Sequence, residues 1–215
     1  MKKKLFMTIV VIAGLAAAIL VIRGVKDKLS PPLQRASDAA KANGNPRANI
    51  KIVEYTDFQC PACARGAQEV AGYFAQHKND VYWEYRPYPL TPGHRHSFRA
   101  AVFGECAARQ GKFWGFHDLV FARQKEWGAK DDPEEDFMKI AEEAGLAKET
   151  LLLCVKDPEV GNRIVEQKEE GARRGVKATP TYFLNGKMVV GFRHLLKELG
   201  VSKQDDPTKA VGPIK

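Results

Sequence analysis

Cys60-Pro61-Ala62-Cys63 places two thiols three residues apart, a spacing that suits disulfide chemistry and equally half of a zinc site. Pro61 fits the first position of a helix, where its missing N–H would have had no partner. Thiols at i and i+3 of that helix share a face at a separation that a disulfide can bridge. Cys60, at the helix start, meets unpaired N–H groups and the positive end of the helix dipole. Both lower a thiol pKa and create a nucleophile for exchange. Cys63, one turn further in, is shielded and can attack only a mixed disulfide already formed at Cys60. No second C-x-x-C and no spaced His pair completes a zinc site, so neither a metal nor another cofactor is expected. His94 and His96 have no acid or cysteine close in sequence and read as loop histidines.

The elements that would position this pair alternate between strand and helix. Ile50 to Phe58 is β-branched and aromatic, as a buried strand requires, and stops at Cys60-Pro61. The following helix, to about His77, puts Ala67, Val70, Ala71 and Phe74 on one face. Val81 to Tyr85 is a second strand, ended by Pro87 and Pro89, and β-α-β order favours parallel pairing. A helical middle follows. Ser97 can cap a helix with Phe98, Val102 and Cys106 on one face, and Trp114, Phe116 and His117 read as packing groups. Asp132-Pro133 and Asp157-Pro158 start further helices, and a short one holds Cys154. Thr181 to Leu184 and Met188 to Val190 form a hairpin around Asn185-Gly186-Lys187, before a closing helix over His194 to Leu199. Trp83 reads as core.

The net charge of +8 raises nucleic acid as a partner, but residues 1–28 carry +5 of it. That excess flanks the uncharged run Leu5 to Ile22, long enough for a helix of about 27 Å, close to the bilayer core. It reads as membrane topology, with Lys2-Lys3-Lys4 on the cytoplasmic side, and excludes nucleic acid as the expected partner. A cleavable signal ending near Ala16-Ala17-Ala18 is the alternative. The run continues through Ile19 to Ile22, which favours an uncleaved anchor. Either way the rest of the chain is exported, where cysteine pairs can stay oxidised. With 28% charged residues and 11 Phe, disorder is excluded; four cysteines in 215 residues are too few for a disulfide-packed miniprotein.

Gly44-Asn45-Pro46, IKIVEYTDFQCPAC, ECAARQGKFWGFHDLVF and GVKATPTYFLNGK, taken in order over residues 44–192, resemble the DsbA-like branch of the thioredoxin superfamily. The resemblance implies an α/β thioredoxin fold with an inserted α-helical domain, here preceded by a transmembrane helix. Residues 1–26 would be the anchor or signal segment and 27–48 a tether. Residues 49–92 and 176–200 would form the core, 93–175 the insertion, and 201–215 a flexible tail. It further implies that Cys60 attacks and Cys63 resolves. Pro180 would be a cis-proline whose loop, with Thr179, faces the redox pair and binds substrate backbone. Glu54, six residues before Cys60, matches a buried acid that takes the Cys63 proton; its alternative is an acid exposed at a strand edge.

The extra pair, Cys106 and Cys154, resembles a subgroup with a second, structural disulfide; two buried free thiols are the alternative. One departure stands out. The best-known oxidases of the family place His where this chain has Ala62, so its disulfide is expected to be a weaker oxidant. The function implied is extracytoplasmic thiol–disulfide exchange, in the oxidase direction, with isomerase, reductase or a metal or haem-assembly chaperone as alternatives. Its partners would be exported proteins with cysteine thiols or disulfides and a membrane redox partner. The catalytic domain would lie in the periplasm or otherwise outside the cytoplasmic membrane.

Overall fold

The computed structural model describes residues 38–201. The expected anchor, the first part of the tether and the tail from residue 202 lie outside the described residues. Among the described residues, no helix is long and apolar enough to cross a membrane.

The core is a sheet of order β1-β3-β2-β4-β5. Its strands are β1 (Ala42–Gly44), β2 (Ile50–Thr56), β3 (Val81–Pro87), β4 (Thr181–Leu184) and β5 (Lys187–Val190). β2 and β3 pair in parallel across a crossover through α1 (Pro61–Gln76); the other pairings are antiparallel. Asn185 and Gly186, at φ 47° and 86°, make the tight turn between β4 and β5. Between β3 and β4 come α2 (Ser97–Arg109), α3 (Phe113–Ala122), α4 (Gln124–Gly128), α5 (Glu134–Glu143), α6 (Lys148–Cys154) and α7 (Pro158–Arg173). α8 (Phe192–Glu198) closes the described chain.

β2 is central, and its alternation of side chains sorts the two faces of the sheet. Ile52 packs with Val70 of α1, Trp83, Tyr182, and Phe192 and Leu195 of α8. Glu54, two residues on, projects to the same face. Tyr55 joins Tyr88, Val176 and Phe183 on the other. There α7 passes so close that a Cβ on Gly171 would stand 2.7 Å from the Tyr55 ring.

The insertion has its own aromatic centre, in which Phe103, Phe116, Trp127 and Phe137 are fully buried. Phe58, from the connection between β2 and α1, stacks on Tyr85 and meets Phe116 and Phe121 edge-on. Gly104 makes room for it, since a Cβ there would lie 2.8 Å from the Phe58 ring. Core and insertion thus meet directly beneath the Cys60 loop.

Two expectations need correction. Residues 38–48 do not belong to a tether. Asp38–Lys41 is a 3₁₀ turn and Ala42–Gly44 an edge strand on β3. The turn is held by buried Lys41, whose Nζ lies 2.7 Å from Glu105 Oε2 and 2.8 Å from Gln167 Oε1. A strand of three residues is too short to show a hydrophobic period. Ser97 does not cap α2 either. It is the first helical residue, its hydroxyl buried without a partner among the described residues, and His96 takes the cap position. Asp157 does cap α7, accepting from the Glu159 N–H.

Cys106 of α2 and Cys154 of α6 are joined by a disulfide with both cysteines fully buried. Closing a loop of this length stabilises by about 4 kcal/mol in the chain-entropy model. Cys106→Ala/Cys154→Ala should therefore fold but lose stability in urea, by an amount approaching that figure. A loss below about 1 kcal/mol would show that packing alone holds α2 to α6.

Candidate active site

Cys60 ends the β2–α1 connection and occupies the cap position of α1, with Pro61 as first helical residue. Its carbonyl accepts from the N–H groups of Cys63 and Ala64 and from Gln124 Nε2, at 3.0, 3.1 and 3.0 Å. Gln124 Nε2 also reaches the Phe58 carbonyl at 2.7 Å, so α4 pins the loop from the insertion side. Cys60 is 7% exposed and Cys63 fully buried, and neither is bonded to another cysteine. Across from Cys60 stands the Thr179-Pro180 peptide, which is cis. The Cys60 thiol donates to the Thr179 carbonyl at 3.5 Å.

These surroundings split the two thiols. The Cys63 thiol, as a hydrogen-bond donor, is the largest cause holding the Cys60 pKa down. Burial opposes it, while Thr179 and the backbone N–H groups of Cys63 and Ala62 assist, and the result is a pKa lowered to about 5. The Thr179 hydroxyl is buried with no hydrogen-bond partner among the described residues, so a thiolate at Cys60 would give it one. Burial pushes the Cys63 pKa well up, and the neighbouring Cys60 thiolate pushes it further. One thiol is a ready nucleophile and leaving group; the other holds its proton.

Glu54 is 5% exposed, with Oε2 accepting from the Trp83 indole N–H at 2.9 Å. Trp83 is thus both core and donor. Burial raises the Glu54 pKa, opposed in part by His117, Trp83 and the Thr56 and Tyr182 hydroxyls. A cavity of about 210 Å³ is lined by Glu54, Trp83, Trp114, His117 and Asp118. His117 packs among Phe113, Trp114 and Phe121, and its Nδ1 also lies 2.8 Å from Asp118 Oδ1. The buried acid therefore has a cavity, and a His–Asp pair lining it, beside it.

Other polar groups have no signal in a single sequence. Asp57 is buried, accepts from the Gln59 and Leu90 N–H groups, and pairs with His94 Nδ1, each at 2.8 Å. His94, read as a partnerless loop histidine, has its acid 37 positions away. His96 Nε2 sits 2.8 Å from the Lys130 carbonyl. Among the described residues, no group of His, Cys, Asp and Glu is arranged to hold a metal ion.

The thioredoxin family's sequence model matches residues 37–198. A thioredoxin-like oxidoreductase from Silicibacter pomeroyi is 29% identical; the match covers 79% of this chain and 92% of that one at a TM-score of 0.62. The alpha-DsbA1 of Wolbachia pipientis superposes at 0.65 with 22% identity, over 75% and 87% of the two chains. A curated relative from Mycolicibacterium gilvum, named Na(+)/H(+) antiporter NhaA 1, is 33% identical over 174 residues, 76% of this chain and 27% of its own. The chain spans about a quarter of the length of the curated relatives it matches. The chain belongs to the thioredoxin family, and its fold, with helices inserted into the core and a C-x-x-C pair at the start of α1, is that of the DsbA-like thiol–disulfide oxidoreductases.

Proposed function

We propose that this protein is an extracytoplasmic thiol–disulfide oxidoreductase working in the oxidase direction. Cys60 is the sulfur that exchanges with substrate (the attacking cysteine when the pair is reduced), and Cys63 is its buried partner (the resolving cysteine in that reverse direction). The observation that carries the reading is the asymmetry of the pair: a thiol lowered to about 5 at the helix start beside a buried thiol raised well above its ordinary value. In the oxidised enzyme, a substrate thiolate attacks Cys60 Sγ. The Cys60–Cys63 bond breaks, a mixed disulfide forms at Cys60, and the electron pair leaves on Cys63. In this reading Glu54, a buried acid whose pKa is raised by burial, supplies the proton that Cys63 takes up. A second substrate thiolate then attacks the substrate sulfur of the mixed disulfide and releases Cys60 as a thiolate. The substrate has lost two electrons and two protons. One proton ends on Cys63, through Glu54, and the other in solvent, because Cys60 stays ionised at neutral pH. In this reading Thr179 and Pro180 bind the substrate backbone beside the reacting sulfur, which the contact of Cys60 with the Thr179 carbonyl supports.

Export is supported by the uncharged run Leu5 to Ile22 behind Lys2-Lys3-Lys4, which we read as a single-pass anchor. Soluble release after signal cleavage is the alternative. The partners would be exported proteins with cysteines and a membrane redox protein that restores the disulfide. The antiporter name belongs to much longer proteins, and ion transport is no part of this proposal. Ala62 favours a second reading, isomerase or reductase, since the site lacks an imidazole that would stabilise Cys60 further.

Cys60→Ala should abolish exchange, whereas Cys63→Ala should accumulate mixed disulfides visible on non-reducing gels. Equal trapping by both variants would contradict the assigned roles. Alkylation of reduced wild type should follow a single thiol with a pKa of about 5, Cys63 staying unmodified in the native fold. The sign for stability follows. Because the Cys60 pKa is lowered by folding, the thiolate's contribution to the reduced fold is complete above the ordinary thiol pKa. It shrinks as pH falls and is gone below about 5. Glu54→Gln should slow steps in which Cys63 leaves or attacks about tenfold or more, with less effect on attack by the reduced Cys60 thiolate on a small disulfide. Stopped-flow rates unchanged across neutral pH would make Glu54 purely structural.

A further inference from the structure

A groove of about 660 Å³ runs between α1 and the α3–α4 corner. One wall is the α1 face bearing Pro61, Ala64, Arg65 and Gln68, at the i, i+3, i+4, i+7 spacing of a single helix stripe. The facing wall includes Lys125 and Gly128 of α4. Among the described residues, no Asp or Glu lines it. Arg65 and Lys125 are exposed, and among the described residues neither has a hydrogen bond or ion pair. The Asp57 carboxylate is buried and is not part of the groove lining. The positive end of α1 adds to the same field. Two unpaired cations on one groove favour an anionic occupant over a neutral one.

Arg65 stands five residues past Cys60, about 7 to 8 Å along the helix axis. An extended chain rises about 3.3 Å per residue, so that span matches two or three residues of bound polypeptide. We propose that this groove receives the polypeptide flanking a substrate's reactive cysteine and selects carboxylates two or three residues from it. Arg65 and Lys125 would then be specificity-determining residues, acting on encounter and docking rather than on the sulfur chemistry. The inference rests on Cys60 being the exchanging thiol.

The test uses the oxidised full chain and pairs of two-cysteine peptides identical except for Asp or Asn two and three residues from the first cysteine. Each rate of enzyme reduction is divided by the same peptide's rate with hydroxyethyl disulfide, which removes differences in peptide thiol reactivity. Reduction by dithiothreitol, a neutral small dithiol, is followed in parallel. At low ionic strength the Asp peptide should react about three- to tenfold faster than the Asn peptide. That ratio should fall to about one at high salt and in Arg65→Gln/Lys125→Gln. Read within one variant, it does not depend on any change in Cys60 reactivity. A ratio of about one in wild type that dithiothreitol reduces normally would overturn the groove assignment alone, as would a ratio that survives in the double variant. Failure of dithiothreitol to reduce the protein would overturn the exchange reading, and this inference with it.

Discussion

A negative charge at Cys60 is the condition to which the rest of the structure answers. A thiolate costs free energy wherever water is excluded, and here it is 7% exposed. The fold meets that cost with donors from two places: the Cys63 thiol and the N–H groups at the start of α1, and Thr179 at the entry to β4. Each donor sits where a different constraint puts it. Pro61 starts the helix, β2 delivers the chain to it, and pairing of β2 with β4 brings Thr179 opposite. In a disulfide Cys60 carries no charge, so these contacts favour the reduced protein over the oxidised one. That difference is what an oxidase uses to drive substrate oxidation.

The helical insertion is part of this arrangement. Gln124 holds the carbonyls of Phe58 and Cys60, Phe58 anchors among insertion aromatics, and His117 faces the cavity that reaches Glu54. The buried Lys41–Glu105–Gln167 cluster ties the first described turn to α2 and α7. Such a cluster gives little net stability compared with apolar packing, but losing one partner would leave a charge stranded. It fixes where the described chain enters the domain.

How much of this was legible depends on the range of each interaction. The start of α1, the parallel β2–β3 pair and the Asn185-Gly186 turn were readable because each is written in residues within a few positions of one another. Glu54 was placed by resemblance, since alternation along β2 says which face it shares but not that the face is dry. The His94–Asp57 pair, the Gln124 bonds and the facing of His117 towards Glu54 were not readable. Their partners come from elements that only the tertiary fold brings together. The short edge strand Ala42–Gly44 was missed for the opposite reason: three residues carry too little pattern, and its order comes from Trp83 and Lys41 contacts elsewhere. Ser97 misled because a good capping residue next to an apolar stretch is only a local signal, and His96 took the position.

The reduction potential tests the central claim most directly, because it measures how far the structure favours the reduced pair. A Cys60 pKa of about 5 lies between about 3.5 for the strongest DsbA-type oxidants and about 7 for thioredoxin. Equilibration with glutathione should accordingly give a potential between about −120 and about −270 mV, moving to more oxidising values when Ala62→His adds an imidazole. A wild-type potential at either end of that range, or a variant that becomes more reducing, would contradict the account. Stabilisation of the Cys60 thiolate would then not be what sets the redox poise.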